Sequence, residues 1–176
     1  VASAADPVQA RDEWMELNGL LAAAYKIAMD RAGDRSETYL EGLVGVLREV
    51  QDHSSREEAP ESWAANHNDL GYNLALLAER QGDAAKIGEA VAILRESLAV
   101  LRERDAGTLP FVADSLCTAL RISGEMQHRH DVLVEARSYC RMSVAGLEAA
   151  DNPLASQAAA NLEKVDAAIA ALAEAR

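Results

Sequence analysis

The feature that most constrains this chain is a recurrence at one fixed spacing. Leu70, Leu116 and Leu162 fall 46 residues apart, twice, and the same step carries Leu74 to Leu120, Ala90 to Ala136, Glu89 to Glu135 and Ser97 to Ser143. A period of this size marks a supersecondary unit that cannot bury its apolar face alone and stacks on its neighbours to do so. Upstream the match continues with a slip. Trp63, Leu70, Gly82 and Asp83 stand 49 residues after Trp14, Leu21, Gly33 and Asp34, whereas Val91, Leu94, Arg95 and Glu96 stand 47 after Val44, Leu47, Arg48 and Glu49. Two extra residues in the first inter-helix turn account for the difference.

The best copy of the unit runs from Ser62 to Leu101 and reads as two amphipathic helices joined at Gly82-Asp83. Leu70 and Leu74 mark the apolar face of the first helix, and Ala90, Leu94 and Leu98 that of the second. Of the 176 residues 49% are apolar, enough for a core, while alanine is abundant and period-two clusters of β-branched residues are absent. The chain is therefore expected to be all-α. No apolar run approaches the roughly 20 residues that cross a bilayer, so a soluble protein without membrane insertion is expected.

Helix starts follow independently from proline, which lacks the amide an interior helix residue must donate and is tolerated in the first turn. Pro7, Pro60, Pro110 and Pro153 are placed at the openings of the odd-numbered helices. The predicted helices are 7–32, a second capped by Asp34 or Ser36 with Tyr39, Leu43, Val46, Leu47 and Val50 as its stripe, then 61–80, 84–104, 109–125, 129–149 and 152–173. Gly33 should end the first helix, Asp6 should cap it, and the polar stretch 51–59 should be the longest loop. The chain opens Val1-Ala2-Ser3 without an initiator methionine, which suits a fragment or a processed end.

The Leu-small pairs Leu21-Ala22, Leu70-Gly71 and Leu116-Cys117, the large residues Tyr25, Leu74 and Leu120 one turn later, and Ala90 and Ala136 in the second helices resemble the tetratricopeptide repeat. The unit is longer than the family's usual one, Leu43 replaces the small residue of the first copy's second helix, and the unit-ending proline is shifted into the next helix. In these respects the chain is similar to kinesin light chain and bacterial signalling members. The resemblance implies one α-solenoid domain over 1–176 made of antiparallel helix pairs: repeat one at 7–51, repeat two at 60–104, repeat three at 108–149, and a capping helix at 152–174. Seven helices in all are expected, three pairs plus the cap that covers the apolar edge of the last repeat.

In that family the first helix of each unit lines a concave groove. Carried over onto this sequence, the groove residues would be Lys26 and Ile27; Asn68, Asp69, Tyr72 and Leu76; Asp114, Ser115, Thr118 and Arg121; and Asn161 and Lys164. The alternative for each is an ordinary solvated helix face. Some family members clamp a carboxylate terminus with clustered cations. Here Lys26, Arg121 and Lys164 are a whole repeat apart with Asp69 and Asp114 between them, so no convergent clamp is expected.

Other chemistries find little support. With 17 basic and 29 acidic residues the formal charge is −12, which repels phosphate backbones in the absence of a basic stripe, so nucleic acid is not an expected partner. His128 and His130 flank Arg129, but a zinc site needs three or four converging ligands. Cys117 and Cys140 are expected as buried free thiols, with the cytoplasm as compartment. No nucleophile-base set, phosphate loop or metal motif occurs, so neither catalysis nor a cofactor is expected. The expected function is a scaffold that binds a peptide or helix of another protein in its concave face. Two alternatives stay open: a structural or oligomerisation module working through its ends or convex face, and a helical domain that senses a small molecule.

Overall fold

The computed structural model describes residues 7–32, 36–104 and 107–174, with side chains described from Trp14 onward apart from 26, 29 and 30–32. Asp6, Gly33 and Asp34 lie outside the described residues, and so do the roles expected of them. Seven helices follow one another: α1 (Pro7–Ala32), α2 (Ser36–Asp52), α3 (Pro60–Gln81), α4 (Ala84–Glu103), α5 (Leu109–Met126), α6 (His130–Ala149) and α7 (Ala155–Glu174). They pack as sequential pairs, α1 on α2, α3 on α4 and α5 on α6, with α7 on α6. This is an all-α helical-repeat arrangement. Among the described residues no helix is long and apolar enough to cross a membrane.

The chain divides into two compact units, residues 1–54 and 55–176. In the second, α3 packs against α5 as well as α4, and α5 packs against α7 as well as α6. There α3, α5 and α7 form one layer, and α4 and α6 flank it.

The closeness of each pair is set at one register. A Cβ on Gly71 would lie 2.6 Å from Leu94 Cγ and 3.3 Å from the Ala90 carbonyl oxygen, so only glycine lets α4 sit this deep on α3. Leu70, Leu74, Leu94 and Leu98 are all buried around that contact, and the hydroxyl of Ser97 donates to the Ala64 carbonyl across the pair at 2.7 Å. Gly82 turns the chain between the two helices in the left-handed region, φ 63°, and Asp83 caps α4 by accepting from the amides of Ala85 and Lys86. A residue with φ > 0 is glycine's natural place.

One repeat later the same register holds something else. Cys117 stands at the position of Gly71 and Cys140 at that of Leu94. Instead of the free buried thiols expected from the sequence, they are joined by a disulfide with Cα atoms 5.1 Å apart. The reason is geometric: the pair's point of closest approach brings two backbones within the distance a disulfide spans. Closing a loop of this length stabilises by about 3–4 kcal/mol in the chain-entropy account. At the same step after Gly82, His128 closes α5 with φ 52°.

Glu163 and Asp166 occupy in α7 the registers of Gly71 and Leu74, and both are exposed. Pro153, expected inside the first turn of α7, instead precedes it. The Asn152 side chain accepts from the Leu154 amide, and regular helix begins at Ala155.

The first unit follows the pattern less closely. Ala22 is buried, but Leu21 is 45% exposed where its counterparts Leu70 and Leu116 are 0%. Within its unit α1 has α2 alone to pack against, and the close approach has moved. Tyr25 lies against Gly42, where a Cβ would meet its ring at 2.6 Å, and Leu43 beside it is fully buried. Trp14 stacks near His53 with ring centroids 4.2 Å apart, and Trp63 near His67 at 3.5 Å, so each indole is half-covered by an imidazole.

Removing the knob that fills the Gly71 gap leaves a cavity in a rigid pair. Leu94→Ala should cost about 2–5 kcal/mol, measured as a lower urea midpoint at unchanged m-value. A midpoint equal to wild type would contradict the packing described.

Candidate functional site

The layer of α3, α5 and α7 carries most of the residues that the sequence singles out, because the 46-residue period repeats each helix's outward-facing positions as well as its buried ones. Asn68 and Asp114 share a register on α3 and α5, and Tyr72, Thr118 and Lys164 share the next on α3, α5 and α7. Within the second unit α3, which carries Asn68, Asp69, Tyr72 and Leu76, packs against α5, which carries Asp114, Ser115, Thr118 and Arg121, and α5 packs against α7, which carries Asn161 and Lys164. Ile27 is exposed on α1 in the other unit, and the Lys26 side chain lies outside the described residues.

Two polar links, each with a further contact on its own helix, tie α3, α5 and α7 together. Asn161 Nδ2 donates to both carboxylate oxygens of Asp114, at 3.1 and 3.0 Å, joining α7 to α5. Lys164 Nζ lies 3.5 Å from Asn161 Oδ1, at the outer side of that link. Arg121 donates to Glu79 of α3 at 3.1 Å and to Glu125 on its own helix. Its guanidinium is thus held between two carboxylates.

That pairing changes what Arg121 can do. As a spare cation it would meet a ligand carboxylate, whereas here both of its faces are already engaged and it straps α3 to α5. Sequence reasoning missed Glu79 and Glu125, yet they too stand 46 residues apart, and Arg121 to Glu125 is an i,i+4 helix pair. The period itself was the signal.

The remaining members divide by burial. Ser115 is buried and its hydroxyl donates to the Phe111 carbonyl at 3.3 Å, so it offers little surface. The Asp69 carbonyl accepts from the buried Asn73 amide at 2.7 Å, while Tyr72 and Leu76 are half-buried. Thr118 is buried, 8% exposed. The Asn68 side-chain oxygen is buried and has no partner.

Electrostatics follow from this geometry. Burial pushes the Asp114 carboxyl above its ordinary range, against the lowering effect of the Asn161 amide and of Lys164. Burial also raises the Tyr72 phenol, helped by the negative charges of Asp114 and Glu79. The face is therefore acidic and partly desolvated at its centre. At the far end of α5, His128 stands in the turn and His130 opens α6, and no group of three metal-ligating side chains occurs among the described residues. A cleft of about 300 Å³ lies beside that turn, lined by Glu125, His128, Leu133, Ala168, Ala171 and Leu172.

A raised carboxyl binds its proton more tightly in the folded chain. The stability it contributes is present below the unfolded value of about 3.9 and is lost as pH rises through the folded one. Asp114→Asn keeps the shape and removes the buried charge, so its melting temperature should exceed that of wild type at neutral pH, the gain vanishing near about pH 3. A variant that melts below wild type at neutral pH would show that ionised Asp114 is a net stabiliser. No family model, curated protein or solved structure matches the chain.

Proposed function

We propose that the chain is a tetratricopeptide-like scaffold without catalytic activity, which binds an extended segment of another protein along the face formed by α3, α5 and α7. The observation that carries this is the row of half-buried groups at repeating registers, Asn68 and Tyr72 on α3 and Asp114 on α5, in which the Asn68 side-chain oxygen lacks an internal partner. An extended backbone has the alternating donors and acceptors to pair with such groups. Tyr72 adds flat apolar area with little rotamer entropy to lose. The straps Arg121–Glu79 and Asn161–Asp114 hold the three helices in register, which lowers the ordering cost of binding.

The disulfide bears on where this happens. A buried bridge between α5 and α6 fits an oxidising compartment better than the cytoplasm that the cysteine count alone suggests.

A second reading has an observation of its own. Leu17 and Leu20 are 65% and 63% exposed on α1, with Ile27 two turns further along. An apolar stripe of that kind suits assembly through α1.

Panning a random dodecapeptide display library on the full chain separates the two. Enriched peptides should lose binding to Tyr72→Ala while its helicity and melting temperature stay near wild type. Enrichment that survives Tyr72→Ala but is lost on Leu17→Glu with Leu20→Glu would overturn the face assignment in favour of α1.

A further inference from the structure

Resting on the assembly reading of α1 alone, and apart from the peptide face, we infer that the chain pairs with a second copy of itself. The two α1 helices lie antiparallel and meet through Leu17, Leu20, Leu21, Ala24 and Ile27, around a two-fold axis at the level of residue 22.

The registers identify the kind of surface this is. One step of 49 and two of 46 carry Leu17 to Ala158 and Ala24 to Val165, the two residues that α7 buries. Among the described residues α7 packs on α5 and α6, both before it in the chain, so these positions mark the side on which a repeat's first helix meets its predecessors. In α5 that side holds Val112, Ser115, Ala119 and Ile122, all buried. In α1 it holds Leu17, Leu20, Ala24 and Ile27, all exposed, with Leu21 exposed beside them. No described residue exposed between Leu17 and Ile27 is polar or charged. A helix-packing surface is open to solvent.

Three observations choose a second copy, in this orientation, as the occupant. Of the large apolar side chains exposed among the described residues, all but Leu154 lie on α1. A copy therefore offers the stripe no match but the stripe itself, which makes the contact isologous. Bulk along the stripe is uneven, with Leu17, Leu20 and Leu21 before residue 22 and Ala23 and Ala24 after it. An antiparallel copy sets Leu20 over Ala24 and Leu21 over Ala23, whereas a parallel one stacks leucine on leucine and leaves the alanines facing a gap. The two stripes together remove roughly 1,000 Å² from water, where specific but weak interfaces begin. With −12 on each copy, charge repulsion opposes the contact and added salt relieves it.

Sedimentation equilibrium of the full chain across the micromolar range should show a monomer–dimer equilibrium that tightens as salt is added. Leu17→Glu with Leu20→Glu should raise the dissociation constant by about 100-fold or more, because like charges meet across the axis, while helicity stays at the wild-type level. Tyr72→Ala should dimerise as wild type does. The two native cysteines are bonded to each other, so one introduced cysteine is a lone free thiol. Ala23→Cys should oxidise to a covalent dimer, whereas Glu16→Cys should not, since the antiparallel pair holds positions 16 about 18 Å apart along the helices. Covalent dimers from both variants would overturn the antiparallel arrangement. A monomer at every concentration, or a dimer that the two glutamates leave intact, overturns the pairing through α1 and leaves the peptide face of α3, α5 and α7 to its own test.

Discussion

Everything in the second unit depends on how closely two helices of a pair can approach at one register. In α3 and α4 that register is a glycine under a leucine, Gly71 beneath Leu94. In α5 and α6 it is a covalent bond between the same two positions. Both solutions bring the backbones together, and the leucines above and below, Leu70 and Leu74 in one pair and Leu116 and Leu120 in the next, are buried as a consequence. Tight pairing also fixes the helices' rotation about their axes. Rotation decides which side chains reach the surface, so the polar row of Asn68, Tyr72 and Asp114 is positioned by contacts at the adjoining Gly71 and Cys117 positions of its own helices.

The last helix keeps only part of the repeat pattern. In α7 the registers of Gly71 and Leu74 carry Glu163 and Asp166, both exposed, while Ala158 and Val165 are buried as α7 packs against α5 and α6. Its Asn161 keeps the register of Ser115 while reaching across to Asp114, so α7 also contributes to the polar face.

Much of this was legible in the sequence because a period repeats positions, and positions determine burial. Leu70, Leu116 and Leu162 located three equivalent helices, and Gly82-Asp83 located the turn. What the period could not show is what happens when equivalent positions hold unlike residues. Gly71 and Cys117 are both small, but only a second cysteine at the register of Leu94 turns closeness into a bond, and judging each cysteine by burial alone missed the pairing. Leu21 aligns with Leu70 and is nevertheless exposed, since alignment says nothing of how many neighbours a helix has. Arg121 is legible as a cation, but its pairing with Glu79 depends on how α5 packs against α3, which a period does not specify. Pro153 suits a first helical turn, yet the Asn152 side chain accepts from the Leu154 amide and regular helix begins at Ala155.

The central claim is that one register sets the pair distance in both repeats, and a swap of solutions tests it most directly. Cys117→Gly with Cys140→Leu transplants the Gly71–Leu94 contact into α5 and α6. Glycine inside a helix costs about 1 kcal/mol relative to alanine, so on helix propensity alone the double variant should melt below Cys140→Leu by itself. If the register governs the approach, the leucine needs the gap, and the double variant should melt above the single one with a cooperative transition. A double variant that melts below Cys140→Leu alone would contradict the account.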